Sequence, residues 1–157
     1  MLNKIAEWIH QVNTAYASQR QSCSVFQHAF EGFYSAEFLA SAYFVVLDDI
    51  PKPDFAELRA AGFGAFIDME AAGITYDDTY YVQRRFVEDR GLHFHELVHV
   101  LQWRYLQREG FIKRYMSEIL CHGYQDAPLE IMAYQLDGHY RQGNPPLDVQ
   151  AYVQQNL

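Results

Sequence analysis

The chain has 157 residues and a formal net charge of −8, with 50% hydrophobic and 16% aromatic residues. That length suits one domain around one core, and the apolar share can fill that core without covalent staples. The acidic balance excludes nucleic acid and anionic lipid as partners: such ligands need a basic patch, and the only basic clusters are Arg84-Arg85 and Lys113-Arg114.

In chain order, residues 1–5 open without the apolar segment of a secretory signal. Residues 2–18 read as an amphipathic helix, with Ile5, Trp8, Ile9, Val12 and Tyr16 at helical spacing. Cys23 and Cys121 match no metal-ligand spacing and are read as two buried, reduced thiols, with a single bridge as the alternative. Residues 38–47 form the longest apolar stretch, about half of a membrane span, so a soluble, cytoplasmic protein is expected. Within that stretch, residues 41–47 predict a strand, stopped by Asp48-Asp49, Pro51 and Pro53.

A short helix is expected over residues 55–61, a second strand over 64–69, a turn over 73–78 and a third strand over 79–86. From Leu92 the pattern becomes helical, with Phe94, Leu97, Val98, Leu101 and Tyr105 as one apolar stripe and Gly110 as its stop. Another helix runs over 111–122, closed by Gly123. Asp126 can cap a helix over 127–137 with Pro128 in its first turn, and Pro145-Pro146 opens a short final helix. The order of helix, small sheet and several helices predicts an α+β fold in one domain spanning 1–157.

The chemistry is concentrated in His95-Glu96-Leu97-Val98-His99. Residues four apart on a helix share a face, so both imidazoles can reach one ion at about 2.0–2.1 Å. Glu96 sits beside them as the general base for a water whose pKa a metal lowers to about 7. At average composition the pattern arises by chance in about one chain of this length in a hundred. The apolar stripe faces away from His95, His99, Gln102 and Leu106, so the second face is expected to open on a cleft.

A catalytic zinc site takes three protein ligands. Glu130, 31 residues beyond His99 at the start of its own helix, is the leading third ligand. His122, His139 and Glu118 compete with it. His93 points elsewhere on the helix and is read as a neighbour, while His10 and His28 belong to no motif.

The His95-Glu96-Leu97-Val98-His99 run followed by helix-borne Glu130 resembles the gluzincin clan of zinc metallopeptidases, in particular its minimal single-domain members, the minigluzincins. The resemblance covers roughly residues 41–137. It implies zinc held by His95, His99 and Glu130, with Glu96 as base. It also implies a zincin-like, mostly antiparallel sheet packed on the active-site helix, whose edge strand binds the substrate backbone; residues 79–86 or 64–69 are the candidates. Members commonly use a Tyr or His near the third ligand as transition-state donor, which points to Tyr124, His122, Tyr134 or His139, with Tyr124 preferred because it precedes the ligand helix. Larger members place a histidine-supporting aspartate four residues after the ligand glutamate; here that position is Tyr134, with Asp126 and Asp137 one or two turns away.

The leading expectation is a zinc-dependent peptidase acting on peptides or small proteins. A zinc-retaining binding module without turnover is the alternative. A di-iron helix bundle would need a second Glu-x-x-His, and none is present.

Overall fold

The computed structural model describes residues 1–157 and has an α+β architecture. The N-terminal periodicity produces α1 (Leu2–Ala15), which buries Ile5, Ile9 and Val12. A two-residue strand, β1 (Gln21–Ser22), follows, then α2 (Ala36–Ala40), whose N-cap Ser35 accepts a hydrogen bond from the Phe38 N–H. After β2 (Tyr43–Leu47), α3 (Ala56–Leu58) passes through a π-helical turn bent at Gly62, φ 104°, into α4 (Gly64–Asp68). The hairpin β3 (Gly73–Tyr76) and β4 (Thr79–Gln83) leads to α5 (Arg90–His122), α6 (Pro128–Arg141) and α7 (Val149–Asn156). No helix is long and apolar enough to cross a membrane.

The sheet has the order β1-β2-β4-β3. It is mixed: the two outer pairings are antiparallel, as expected, whereas the central pair β2 and β4 is parallel, with Tyr43 opposite Thr79 and Leu47 opposite Gln83. The long connection between those strands carries the chain back to the starting end, and its last part returns as β3, antiparallel to β4. All of β4 is buried, and its alternating side chains serve two cores. Tyr80 and Val82 join Phe44, Phe94, Leu97 and Leu101 on one side. Tyr81 joins Val45, Ile5, Ile9, Trp103 and Phe111 on the other. The sheet is therefore a wall with apolar packing on both faces.

Several local expectations fail for identifiable reasons. Residues 64–69 form a helical turn and not a strand; a short apolar run has no periodicity to separate the two, and Lys52 Nζ binds the Phe66 carbonyl at 2.8 Å together with that of Met69. The expected turn over 73–78 shrinks to Asp77-Asp78, with Asp77 at φ 60°, and residues 73–76 pair with β4 instead. The strand expected over 79–86 ends at Gln83 and gives way to a 3₁₀ turn.

Gly110 does not stop α5; the break falls at Gln107 (φ 61°, ψ 164°). Tertiary contacts fix it there. Arg108 pairs with Asp77 in the hairpin turn at 3.0 Å from its Nε, and the Trp103 and Phe111 rings stack across the break with centroids 4.1 Å apart. Likewise α6 continues through Gly138 to Arg141, whose Nε reaches Asp137 at 3.1 Å. Cys23 is buried as expected, whereas Cys121 is exposed, and both are free thiols.

Gln107 occupies backbone space that is comfortable only for glycine, a strain of roughly 1–3 kcal/mol. Its side chain is exposed, so little packing is lost on truncation. Gln107→Gly is expected to raise stability by about 1 kcal/mol after the entropy cost of glycine. Thermal unfolding followed by circular dichroism checks this; a lower midpoint would show that the break is held by something other than local conformation.

Candidate metal centre

Asp89 starts α5 by accepting a hydrogen bond from the Leu92 N–H. The Phe94, Leu97, Val98 and Leu101 stripe then turns into the core against the sheet. That orientation brings His95 and His99 onto the opposite face, one turn apart, with ring centroids 4.8 Å apart. This face borders two hollows, as expected, but only at its edge. Packed α6 covers it, leaving His95 at 5%, His99 at 4% and Gln102 at 0% exposure.

From α6, Glu130 enters the space between the rings. Its Oε1 lies 3.1 Å from His95 Nε2, its Oε2 lies 3.1 Å from His99 Nε2, and the two Nε2 atoms are themselves 3.1 Å apart. His95, His99 and Glu130 thus form a buried group able to hold a metal ion, with ligand atoms within 4.8 Å of one another. The rival ligands are elsewhere. His122 is exposed, and His139 donates from Nε2 to the Pro145 carbonyl at 2.7 Å. Glu118 accepts from the Leu129 N–H at 2.7 Å and pairs with Arg114 at 2.8 Å. It does the capping expected of Asp126, since the N-cap residue of α6 is Ala127 and supplies no side-chain bond.

The outer nitrogens define the state of the inner ones. His95 Nδ1 donates to Asp137 Oδ2 at 2.7 Å. His99 Nδ1 donates to Gln102 Oε1 at 2.7 Å, and that amide is fixed because its Nε2 donates to the Leu129 carbonyl at 3.0 Å. Each imidazole therefore carries its proton on Nδ1 and turns an Nε2 lone pair inward. Two lone pairs and a carboxylate at 3.1 Å from one another repel unless a cation sits among them. Burial presses the His95 pKa down, but bonds to Asp137 and Glu130 outweigh it and lift the value to about 10. His99 is raised by Glu130 despite its burial, and the two histidines hold Glu130 below the ordinary carboxylate range against its own burial. Without an ion the carboxylates favour a proton on the inner nitrogens, so a proton and a metal ion compete for the same position.

Glu96 is 2% exposed, and its Oε2 has no hydrogen-bond partner. Burial pushes its pKa up, opposed by the two histidines. The strand β3 is pinned beside it: Thr75 Oγ1 donates to the Glu96 carbonyl at 3.2 Å. A Cβ on Gly73 would lie 3.0 Å from Glu96 Oε1, so a side chain there would crowd the carboxylate by a few tenths of an ångström. Around Glu96 two hollows meet. One is a polar cleft bordered by His95, Tyr124, Tyr134 and Asp137. The other is an apolar cavity, partly open to solvent, reaching from Glu96 and His99 to Ile9, Phe63, Trp103 and Phe111.

Tyr124 borders both hollows, and burial holds its hydroxyl protonated. The Tyr134 ring packs on His95 at 4.5 Å between centroids. His93 is a satisfied core residue, donating to the Val87 carbonyl at 2.8 Å and accepting from Tyr80 at 2.7 Å. His10 and His28 are exposed and remote from the cluster. Arg84, Arg85 and Arg114 are all spent in ion pairs.

Sequence reasoning left out Tyr115, whose hydroxyl donates to Glu130 Oε2 at 2.7 Å, and named Gln102 only as a face-mate of the histidines. The i, i+3 spacing from His99 could have flagged Gln102; nothing in the sequence flags Tyr115. No known protein family, curated protein or solved structure matches this chain.

Loss of a carboxylate that orients a ligating histidine costs about 10–100-fold in metal affinity. Asp137→Ala is expected to fall in that range in a competition titration against a chromophoric chelator. Glu130→Ala should lose the ion, whereas His122→Ala and His139→Ala should keep it. Metal retained by Glu130→Ala would remove this residue from the ligand set.

Proposed function

We propose that this protein is a zinc-dependent metallopeptidase of the gluzincin type, with a zincin-like arrangement of sheet and active-site helix. The carrying observation is the convergence of His95 Nε2, His99 Nε2 and Glu130 beside an unpartnered, buried Glu96 Oε2 at the junction of two hollows. A two-nitrogen, one-carboxylate donor set is the type that zinc takes in hydrolytic sites. A tetrahedral zinc site needs donor atoms about 3.3–3.4 Å apart, and the observed 3.1 Å separations are close to that. When bound, zinc supplies Lewis-acid chemistry, acidifying water and polarising a carbonyl oxygen.

The residues divide the remaining work. Glu96 Oε2 takes a proton from the attacking water and hands it to the departing amide nitrogen. Burial has already raised its proton affinity, which suits both halves of that transfer. Tyr124, protonated at the cleft, is the candidate donor to the developing oxyanion, with Tyr134 beside it. The strand that meets substrate backbone is β3. It is the sheet edge beside Glu96, whereas β4 is interior and residues 64–68 are helical. The apolar cavity would receive a hydrophobic side chain of a peptide or small protein. Free Cys23 and Cys121 suit a reducing compartment such as the cytoplasm.

The binding-module alternative draws its support from Tyr134 standing where an aspartate is expected. Asp137, one turn further along α6, makes the bond to His95 in its stead. Glu96→Gln is therefore expected to keep about one zinc per chain while losing roughly 10²–10⁴-fold in cleavage of a fluorogenic peptide library. Undiminished cleavage by that variant, or none by the zinc-loaded wild type, would count against the peptidase reading.

A further inference from the structure

The bond from Asp137 to His95 uses only one oxygen of the carboxylate. The other oxygen, Oδ1, accepts from Arg141 Nε at 3.1 Å. The remaining edge of the same guanidinium reaches Asp89, Nη1 to Oδ1 at 2.9 Å and Nη2 to Oδ2 at 3.2 Å. Asp89 is the N-cap of α5, and Asp137 and Arg141 lie in the last turns of α6. One side chain thus joins the beginning of the helix that carries His95 and His99 to the end of the helix that carries Glu130.

A second observation points to the same assembly. A Cβ built on Gly91 would lie 2.1 Å from Arg141 Cζ, 2.4 Å from Nε and 2.6 Å from Nη1. The guanidinium lies beside the α5 backbone, so a side chain at position 91 would displace this flexible side-chain end from its two carboxylates. Glycine in the first turn of a helix is otherwise unfavourable relative to alanine. Its presence here trades helix propensity for room. Arg141 and Asp89 are 45% and 39% exposed as side chains, so the pair contributes little to overall stability. Its geometric effect is larger, because a planar guanidinium fixes the plane of each carboxylate it binds.

We propose that Arg141, seated beside Gly91, is a positioning residue of the metal centre: it fixes the Asp137 carboxylate so that His95 presents Nε2 inward. The inference rests on reading His95, His99 and Glu130 as a metal centre. Gly91 makes it testable without altering a charge. Gly91→Ala should strengthen the helix locally yet dislodge the guanidinium and loosen the metal.

The test is zinc affinity by chelator competition, together with the visible absorption of the cobalt-loaded protein as a reporter of ligand geometry. Arg141→Ala is expected to weaken zinc binding by ~10-fold or more and to shift the cobalt bands. Gly91→Ala should move both readouts in the same direction, and Arg141→Lys should not restore them, because an ammonium cannot span both carboxylates. Zinc affinities within about twofold of wild type in Arg141→Ala and Gly91→Ala, with unchanged cobalt bands, would overturn the proposal and leave an ordinary surface ion pair. Wild-type protein that binds neither metal overturns the metal-centre reading itself, and the positioning role with it.

Discussion

Two imidazoles and one carboxylate meet at 3.1 Å in a largely buried space at the edge of two hollows. Left to themselves, those groups would separate or take up protons, since the interior offers little screening. The surroundings are organised to prevent separation. Each histidine is tethered through its outer nitrogen, one to a carboxylate and one to a fixed amide. Glu130 is tethered through Tyr115, and the first turn of its helix is held by Glu118. The centre is preorganised in that its donors hold their convergent geometry through bonds that do not involve an ion.

The fold supplies those tethers from few elements. Between them α5 and α6 provide every group at the cluster's inner edge, and the sheet provides a flat buttress behind α5. With both faces of the sheet covered, α5 serves two cores: Phe94 to Leu101 pack into one, and Trp103, Phe111 and Ile112 into the other.

Legibility followed the strength of the local signal. The five-residue motif carried its own spacing, and Glu130 could be chosen over His122, His139 and Glu118 from ligand type and placement on a helix. The long helices were visible because apolar residues recurred over many turns. Sheet details were not, because β1 has two residues and β3 has four, too few to show a period. The parallel pairing of β2 and β4 depends on a long connection that no local pattern encodes. The orienting groups were legible in proportion to their helical spacing from a ligand: Asp137 and Gln102 fall on the correct faces. Tyr115 arrives from beyond the α5 break and leaves no trace in the sequence.

The apolar cavity takes one of its walls from the N-terminal helix. Ile5 and Ile9 of α1 line it, although α1 supplies none of the metal-binding group and none of its tethers. Shape and reactivity are thus written on separate stretches of the chain. Substitutions in the first helix can remodel the cavity while the ligands stay untouched. That separation gives descendants of such a protein, or an engineer, a way to change what the cavity admits with the metal-binding group kept intact.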